Sequence, residues 1–326
     1  MKYPGVMEVE LAGSKQEILR IGILGTSQST HVQLLASALR SLEAEVVLIP
    51  PTRLTVHIPG PPAIGATLGS QPGLETLNAL LVRSLPGGSL EQVIYRVDVL
   101  HRLENLGLTV INRPAVLEKT VDKFYTSALL ADAGLPVPRT LVTEQFAQAL
   151  EAVKELGAVV VKPLFGSRGQ GMVLVDNLDV AHRVFRALEL GRYIYYLQQF
   201  LPHANEDFRL LVVGKEVVCA MRRRGNSWKT NIACGAVPEY VSPDPALSRL
   251  ALKTAEVLGA DYLGVDILIS GNQPYILEAN GIPGWSGLQS VAPVDIARII
   301  ARYAVDKCLQ REKNGYPKSQ QVSNWS

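Results

Sequence analysis

The alternation of apolar and polar positions is sharpest over Leu263–Trp285, which reads LGVDILISGNQPYILEANGIPGW. Val265, Ile267 and Ile269 alternate with Asp266 and Leu268, and Tyr275, Leu277 and Ala279 alternate with Ile276, Glu278 and Asn280. A period of two over both runs predicts two β-strands. Ser270-Gly271-Asn272-Gln273-Pro274 reads as a five-residue turn between them. If Ile269 pairs with Tyr275, then Ile267 meets Leu277 and Asp266 meets Glu278. In that register the apolar set faces one way, and Asp266, Glu278 and Asn280 share the other face. Directly opposed strand residues hold their Cβ atoms roughly 5 Å apart, where like charges repel. Two carboxylates and an amide oxygen at such spacing suit a hard divalent cation, which takes oxygen ligands. A solvated hairpin with a polar outer face is the other reading the pattern allows. The Gly281-Ile282-Pro283-Gly284-Trp285 segment that follows reads as a rigid turn able to shape a pocket floor.

The same periodicities run along the rest of the chain. Ile18–Leu24 predicts a buried strand, His31–Leu42 a helix with Leu34, Leu35, Ala38 and Leu39 on one face, and Glu45–Ile49 a second strand. This β-α-β start points to a parallel α/β sheet. Pro50–Pro72 is rich in Pro and Gly and reads only as a long loop. Leu77–Val82 predicts a strand, Ser89 the N-cap of a helix over Leu90–Leu106 closed by Gly107, and Leu108–Ile111 a short strand. Ala115–Ala133 then reads as one helix holding Val121-Asp122-Lys123, Thr140–Val142 as a strand and Phe146–Leu156 as a helix. Val159–Val175 is strand, Gly-rich loop, strand; Leu178–Leu190 is a helix and Tyr193–Phe200 a strand. Phe208–Val213 and Glu216–Met221 flank Gly214-Lys215 as a hairpin. By themselves Arg222, Arg223, Arg224 and Lys229 read as a solvated basic surface. Leu247–Leu258 and Pro293–Cys308 predict two further helices, and from about Gln310 the chain turns polar and reads as a disordered tail.

Composition narrows the function classes. The chain has 326 residues, 47% of them apolar, which is enough for two or three domains with sizeable cores. A formal charge of +2 with no basic tract gives no reason to expect nucleic acid as a partner. Cys219, Cys234 and Cys308 fit no zinc spacing, and an odd count favours a reducing, cytoplasmic compartment. The N-terminus lacks an apolar h-region, so no signal peptide is expected, and no apolar run is long enough to predict a membrane span. The loop after the first strand lacks G-x-G-x-x-G, which removes the dinucleotide fingerprint. Gly166–Gly171 leads into Met172-Val173, a strand, so it is no Walker A loop. At a hairpin tip, such glycines can fold over phosphates and offer backbone N–H groups, with Lys162 at the strand end as a point charge.

Taken in order, a lysine on each of two elements, a Gly-rich hairpin, a strand ending in Gln-Gln-Phe-Leu, an Asp-x-Arg pair and D-x₁₁-E-x-N resemble the ATP-grasp superfamily, and within it the RimK-like carboxylate–amine ligases that add glutamate. The resemblance is strong from about Leu108 to Cys308. It implies an α/β (α+β ATP-grasp) fold: a parallel pre-ATP-grasp α/β domain over 1–112, a central lid subdomain over 113–195, a C-terminal subdomain over 196–309 and a tail over 310–326. It further implies that Lys123 and Lys162 hold the ATP phosphates and that Gly166, Ser167, Gly169 and Gly171 form the lid over them. Gln198, Gln199 and Phe200 correspond to the hinge that reads adenine. His203 stands where a ribose-binding acid is often found. Asp207, Lys229, Thr230 and Asn231 then contact nucleotide, phosphate or metal. Asp266, Glu278 and Asn280 match the ligands of two Mg²⁺ (or Mn²⁺) ions. Arg209 and Arg222 are the candidates for holding the acylphosphate or substrate carboxylates. Glu-x-Asn-Gly-Ile-Pro-Gly-Trp and Gly87-Gly88-Ser89-Leu90-Glu91-Gln92 resemble the pterin-associated branch of that group, in which Trp285 would offer a flat face to a ring. Small-molecule substrates, a homo-oligomer (dimer or tetramer), and no nucleic-acid or membrane partner complete the expectation; glutamylation of a protein C-terminus or carrier protein is the competing one, and a catalytically silent ATP-binding module belongs to another class.

Overall fold

The computed structural model describes residues 18–59, 64–65, 73–166 and 169–313. Three sheets form its layers. The first is built from β1 (Arg20–Leu24), α1 (Thr30–Arg40), β2 (Glu45–Ile49), a small ribbon of β3 (Thr55–Val56) and β4 (Ile64–Gly65), β5 (Ala79–Val82), α2 (Leu90–Asn105) and β6 (Thr109–Ile111). Its four long strands run parallel in the order β2-β1-β5-β6. Both faces are covered, so its strands are apolar on both sides: Ile21, Ile23 and Leu81 meet α1, while Leu24, Leu80 and Val82 meet α2. Ser89 caps α2 as expected, in a reciprocal box with Gln92.

Next come α3 (Pro114–Val121) and α4 (Lys123–Asp132). The sequence reads them as one helix; Asp122 breaks it. Its backbone is extended (φ −91°, ψ 106°) and its side chain accepts the Tyr125 N–H at 3.1 Å, capping α4. The second sheet contains β7 (Thr140–Thr143), β8 (Val159–Lys162), β9 (Val173–Val175) and β10 (Tyr195–Gln199), in the antiparallel order β7-β10-β8-β9. α5 (Phe146–Leu156) and α6 (Leu178–Leu190) cover one face, burying Val159, Val161, Tyr195 and Leu197. β10 carries this sheet to Gln199, past the boundary at residue 195 read from the sequence.

The third sheet is antiparallel, in the order β13-β12-β11-β14-β15. It comprises β11 (Glu206–Val213), β12 (Glu216–Arg224), β13 (Val237–Val241), β14 (Tyr262–Ser270) and β15 (Gln273–Asn280), with α7 (Pro245–Leu258) between β13 and β14. α7 packs on Leu210, Val212, Val265 and Ile267. The chain closes with α8 (Ser286–Gln289) and α9 (Ile296–Lys313). α9 lies beside α1, and Leu211, Cys219 and Met221 of the third sheet join the same core. It also continues past the predicted end at Cys308, and Arg311 there donates to Thr109 Oγ1 at 3.0 Å; residues 314–326 of the predicted tail lie outside the described residues.

Two β-bulges set the registers on which the site depends. Gly271-Asn272 is a tight turn with positive φ at both positions, so Ser270 pairs with Gln273, Leu268 with Tyr275 and Ile267 with Ile276. The register then shifts between Asp266 and Ile267, leaving Leu277 unpaired. The expected pairs Ile269–Tyr275 and Ile267–Leu277 do not form, yet Asp266 does face Glu278. A shorter turn and an extra residue cancel. A second shift between Leu211 and Val212 sets Asp207 opposite Arg223.

One buried side chain ties the first sheet to the third. Asn112 Nδ2 donates to the carbonyls of Tyr262 and Gly281, each at 2.7 Å. Its Oδ1 accepts the N–H groups of Asp261 at 2.6 Å and Tyr262 at 3.2 Å. Asn112→Ala strands buried backbone groups on both sides and is expected to cost about 3 kcal/mol of stability. Urea unfolding reads this as a lower midpoint at unchanged slope.

Candidate active site

The site occupies the face of the third sheet turned away from α7. Strand alternation puts Asp207, Arg209, Arg223, Asp266 and Glu278 there. Arg209 grips Asp266 with both ends of its fork, Nε to Oδ1 and Nη2 to Oδ2, each at 2.6 Å. Arg223 donates to Asp207 Oδ1 at 2.7 Å and to Oδ2, and its Nη2 also lies 3.0 Å from Asp266 Oδ2. Burial works to raise the Asp266 carboxyl, but Arg209 and Arg223 outweigh it and hold the group at about 2. For Asp207, burial prevails over Arg223 and pushes the carboxyl upward.

The expected role of Arg222 is not met. It lies on the other side of β12, bound to Glu239 at 2.8 Å with Glu206 nearby. Without the bulge at Leu211/Val212 the tight turn at Gly214-Lys215 would set Arg222 opposite Asp207; the extra residue hands that place to Arg223. Arg223 is therefore the arginine that the structure brings to this face and the sequence reading missed.

Above this face, β8 and β10 of the second sheet present Val160, Lys162 and Gln198, and with Gln199, Phe200, Lys229, Thr230, Leu268 and Leu277 they enclose a narrow cleft of about 80 Å³. Leu277 is the bulge residue, re-aimed into the cleft. Lys162 Nζ donates to Gln198 Oε1 at 2.6 Å. Burial lowers its ammonium to about 8, with Glu278 opposing that shift and Lys123 adding to it. Lys123 opens α4, where the helix dipole is positive and an ammonium is misplaced unless an anion joins it. Burial lowers its pKa as well, against Glu278 and Asp122. Thr230 hydrogen-bonds Asp207. Lys229 Nζ stands 5.2 Å from the centre of the Trp228 ring, and Phe200 meets that ring edge-on at 6.3 Å. His203 lines the same cleft, its ring nitrogens turned to the carbonyls of Leu201 and Trp228.

The Gly-rich loop bridges the lobes. Lys123 Nζ donates to the Gly166 carbonyl at 2.6 Å. Gly169 and Gly171 both have φ near +72°. A Cβ on Gly169 would stand 2.4 Å from Asn231 Oδ1, so the loop closes directly on Asn231. Ser167 lies outside the described residues.

Next to this cleft is a larger cavity of about 590 Å³, sharing Arg223, Asn231 and Glu278 with it. The N-terminal end of α1, Arg83, Ser84, Arg209, Asn280 and the Ile282–Gly287 turn enclose it. Trp285 does not offer its face here. It is fully buried, edge-on to His31 at 4.5 Å, and its backbone N–H donates to His31 Nε2 at 3.0 Å.

A hard cation fits the donors that converge between the two spaces. Among the described residues Glu278 has no hydrogen-bond or ion-pair partner, Asn280 offers an amide oxygen, and Asp266 Oδ1 keeps one lone pair beside its Arg209 bond. No group of three His, Cys, Asp or Glu among the described residues could hold a metal unaided, so ligands from a bound phosphate chain would complete the shell.

Residues 120–304 match the RimK-like ATP-grasp domain. The chain belongs to the RimK-like ATP-grasp family. Its relatives include the tetrahydromethanopterin:alpha-L-glutamate ligase of Methanococcus maripaludis, 31% identical over 90% of this chain and 99% of the relative. The alpha-aminoadipate–LysW ligase LysX of Saccharolobus solfataricus is 32% identical over 63% of this chain and 77% of the relative. The fold is shared with the ATP-grasp ligase PsnB, solved with a minimal precursor, Mg and ADP: TM-score 0.69 and 22% identity over 88% of this chain and 97% of that one. This RimK-like protein is thus an ATP-dependent, ADP-forming ligase. Among the described residues no helix is long and apolar enough to cross a membrane.

The depressed Lys162 ammonium makes nucleotide affinity pH-dependent. With a pKa of about 8 in the free protein, Lys162 must regain its proton to pair with phosphate above that pH. Affinity for a non-hydrolysable ATP analogue is expected to hold below pH 8 and then weaken about tenfold per unit, with Lys162→Met weak and flat in calorimetric titrations. The folded protein's own stability runs the other way: the charged form opposes folding below about 8, and that cost is relieved as pH rises toward lysine's ordinary 10.5.

Proposed function

We propose that this ligase joins the amine of L-glutamate to a carboxylate on a small coenzyme of the tetrahydromethanopterin type, by way of an acylphosphate. The observation that carries the acceptor class is the breadth of the likeness to the methanopterin ligase. It takes in 90% of this chain, and so the first domain that walls the 590 Å³ cavity. The LysX likeness covers 63% and supports the second reading, glutamylation of a carrier protein.

In this reading the polyphosphate lies along Lys162 and Lys123 beneath the Gly166–Gly171 loop, with its end at Arg223, Glu278 and Asn231, where the two spaces meet. A carboxylate oxygen of the acceptor, held in the larger cavity, attacks the γ-phosphorus. The bond from that phosphorus to the β,γ-bridging oxygen breaks, and ADP departs. The glutamate amine then attacks the acyl carbon, inorganic phosphate leaves with the C–O electron pair, and the amine sheds a proton. Phosphoryl transfer of this kind depends on positioning and charge neutralisation. The lysines offset phosphate charge, Arg209 on the larger cavity has N–H groups left beside its Asp266 bonds for the acyl group, and the loop excludes water that would hydrolyse the acylphosphate. Two Mg²⁺ or Mn²⁺ ions held by Asp266, Glu278 and Asn280 would supply Lewis-acid neutralisation of the phosphate oxygens. The enzyme works as a cytoplasmic homo-oligomer, a dimer or tetramer, as its resemblance implies; its three cysteines are all free thiols.

The test is nucleotide release by purified protein with Mg-ATP, labelled glutamate and either a pterin bearing a carboxylate tail or a peptide ending in glutamate. ADP and phosphate with label in the pterin are expected. Label only in the peptide overturns the acceptor class, AMP and pyrophosphate overturn the acylphosphate route, and no turnover with any acceptor favours a silent module. Glu278→Gln is expected to lower turnover at least about a hundredfold while the melting temperature holds or rises, because a carboxylate opposed to Asp266 has been neutralised.

A further inference from the structure

The larger cavity holds a cation that the chemistry above does not use. Arg83 directly follows β5, at the carboxyl edge of the parallel sheet, where open α/β sheets carry ligands. It is nine-tenths buried. Nη1 donates to the Tyr262 hydroxyl at 3.0 Å, Nη2 donates to the Pro283 carbonyl at 2.9 Å, and the guanidinium lies 4.3 Å from the centre of the Trp285 ring. Every one of these partners is neutral. Among the described residues no carboxylate pairs with it, and its Nε is buried without a hydrogen-bond partner. Neutral acceptors recover only part of the desolvation cost of a buried charge. The other guanidiniums on this cavity, Arg209 and Arg223, each hold a carboxylate. The helix end beside Arg83 has the same sign. Ser29 stands at the N-cap of α1 without a side-chain cap bond, so the first-turn amides and the positive end of the helix border the cavity that Arg83 lines.

We propose that Arg83 and the N-terminal end of α1 form a carboxylate subsite that anchors the non-reacting carboxylate of a substrate, in the same cavity that Glu278 and Arg223 line. This deepens the ligase reading and rests on it. Nη1 and Nη2 each keep one N–H beyond the bonds to Tyr262 and Pro283, and a planar guanidinium matches a carboxylate. An incoming glutamate reacts through its amine and has carboxylates to spare, and an acceptor with a dicarboxylate tail has one beyond the carboxylate that reacts. Trp285, held edge-on by His31, serves as the platform on which the guanidinium rests. Arg83 is in this sense a specificity residue. A purely mechanical role, as a strut from β5 to Tyr262 and Pro283, predicts different numbers.

The experiment is calorimetric titration of the full chain, saturated with Mg and a non-hydrolysable ATP analogue, using two probes: L-glutamate for the amino-acid substrate and glutarate for an acceptor tail. Arg83→Gln, which keeps an N–H donor for Pro283 but no charge, is expected to weaken at least one probe tenfold or more. Arg83→Lys is expected to retain most of that binding. Loss for L-glutamate alone assigns the subsite to the amino acid, and loss for glutarate alone assigns it to the acceptor. Ser84→Asp places a carboxylate beside the guanidinium and is expected to block the same probe while raising the melting temperature. The proposal is overturned if the wild type binds neither probe. It is equally overturned if folded Arg83→Gln binds both unchanged, or if Ser84→Asp binds normally and melts earlier. ADP release is followed separately, so failure of the ligase reading shows there while the titration still reads the subsite.

Discussion

Everything at this site hangs on how Asp266 is neutralised. It is buried opposite Glu278, which alone would be a repulsive arrangement. Arg209 and Arg223 relieve it, and Arg223 shares itself with Asp207, so three adjacent strands are pinned by one charge network. Such a network is weak evidence for stability, since burying the ions costs much of what their attraction returns. Its use is specificity. Slipping β11, β12 or β14 by one residue would push these charges into the apolar layer against α7, where Leu210 and Val265 now sit. The chemistry therefore inherits its alignment from an electrostatic constraint on sheet register.

Local patterning made much of this legible. The β-α-β start, the alternation that sets Asp266 against Glu278, the Gly-rich hairpin tip and the Ser89 cap are each written in a few consecutive residues. The errors share a cause. Period-two reasoning assumes an unbroken ladder, and both bulges insert a residue that no propensity announces. One bulge exchanged Arg222 for Arg223; the other cancelled a misjudged turn and left the carboxylate pair correct by compensation. Asp122 was hidden for a related reason: the helical period continues through it, and only its capping geometry reveals the break.

Arg83 and Asn112 were silent for a different reason. Their partners lie well over a hundred positions downstream in the chain, so nothing near them in sequence marks them out. Trp285 illustrates the same limit. An aromatic beside a Gly-Pro turn reads equally well as a stacking surface or as core. Its surroundings decide for core, with His31 against its edge and Arg83 over its face.

The Asn112 clasp has a bearing on modular exchange within this family. It seizes the β14–β15 hairpin at both ends, at Tyr262 where β14 begins and at Gly281 just past β15. The first domain is therefore not a detachable module that merely supplies a cavity wall. Grafting a foreign first domain to alter acceptor choice would also change the anchor of the strands that carry Asp266 and Glu278. A chimaera joined after residue 112 brings the donor's own residue to the clasp, while one joined before it retains Asn112 but moves the peptide junction into the buried end of β6. The cavity wall and the alignment of Asp266 with Glu278 are then inherited together, and a hybrid that ignores this contact changes both.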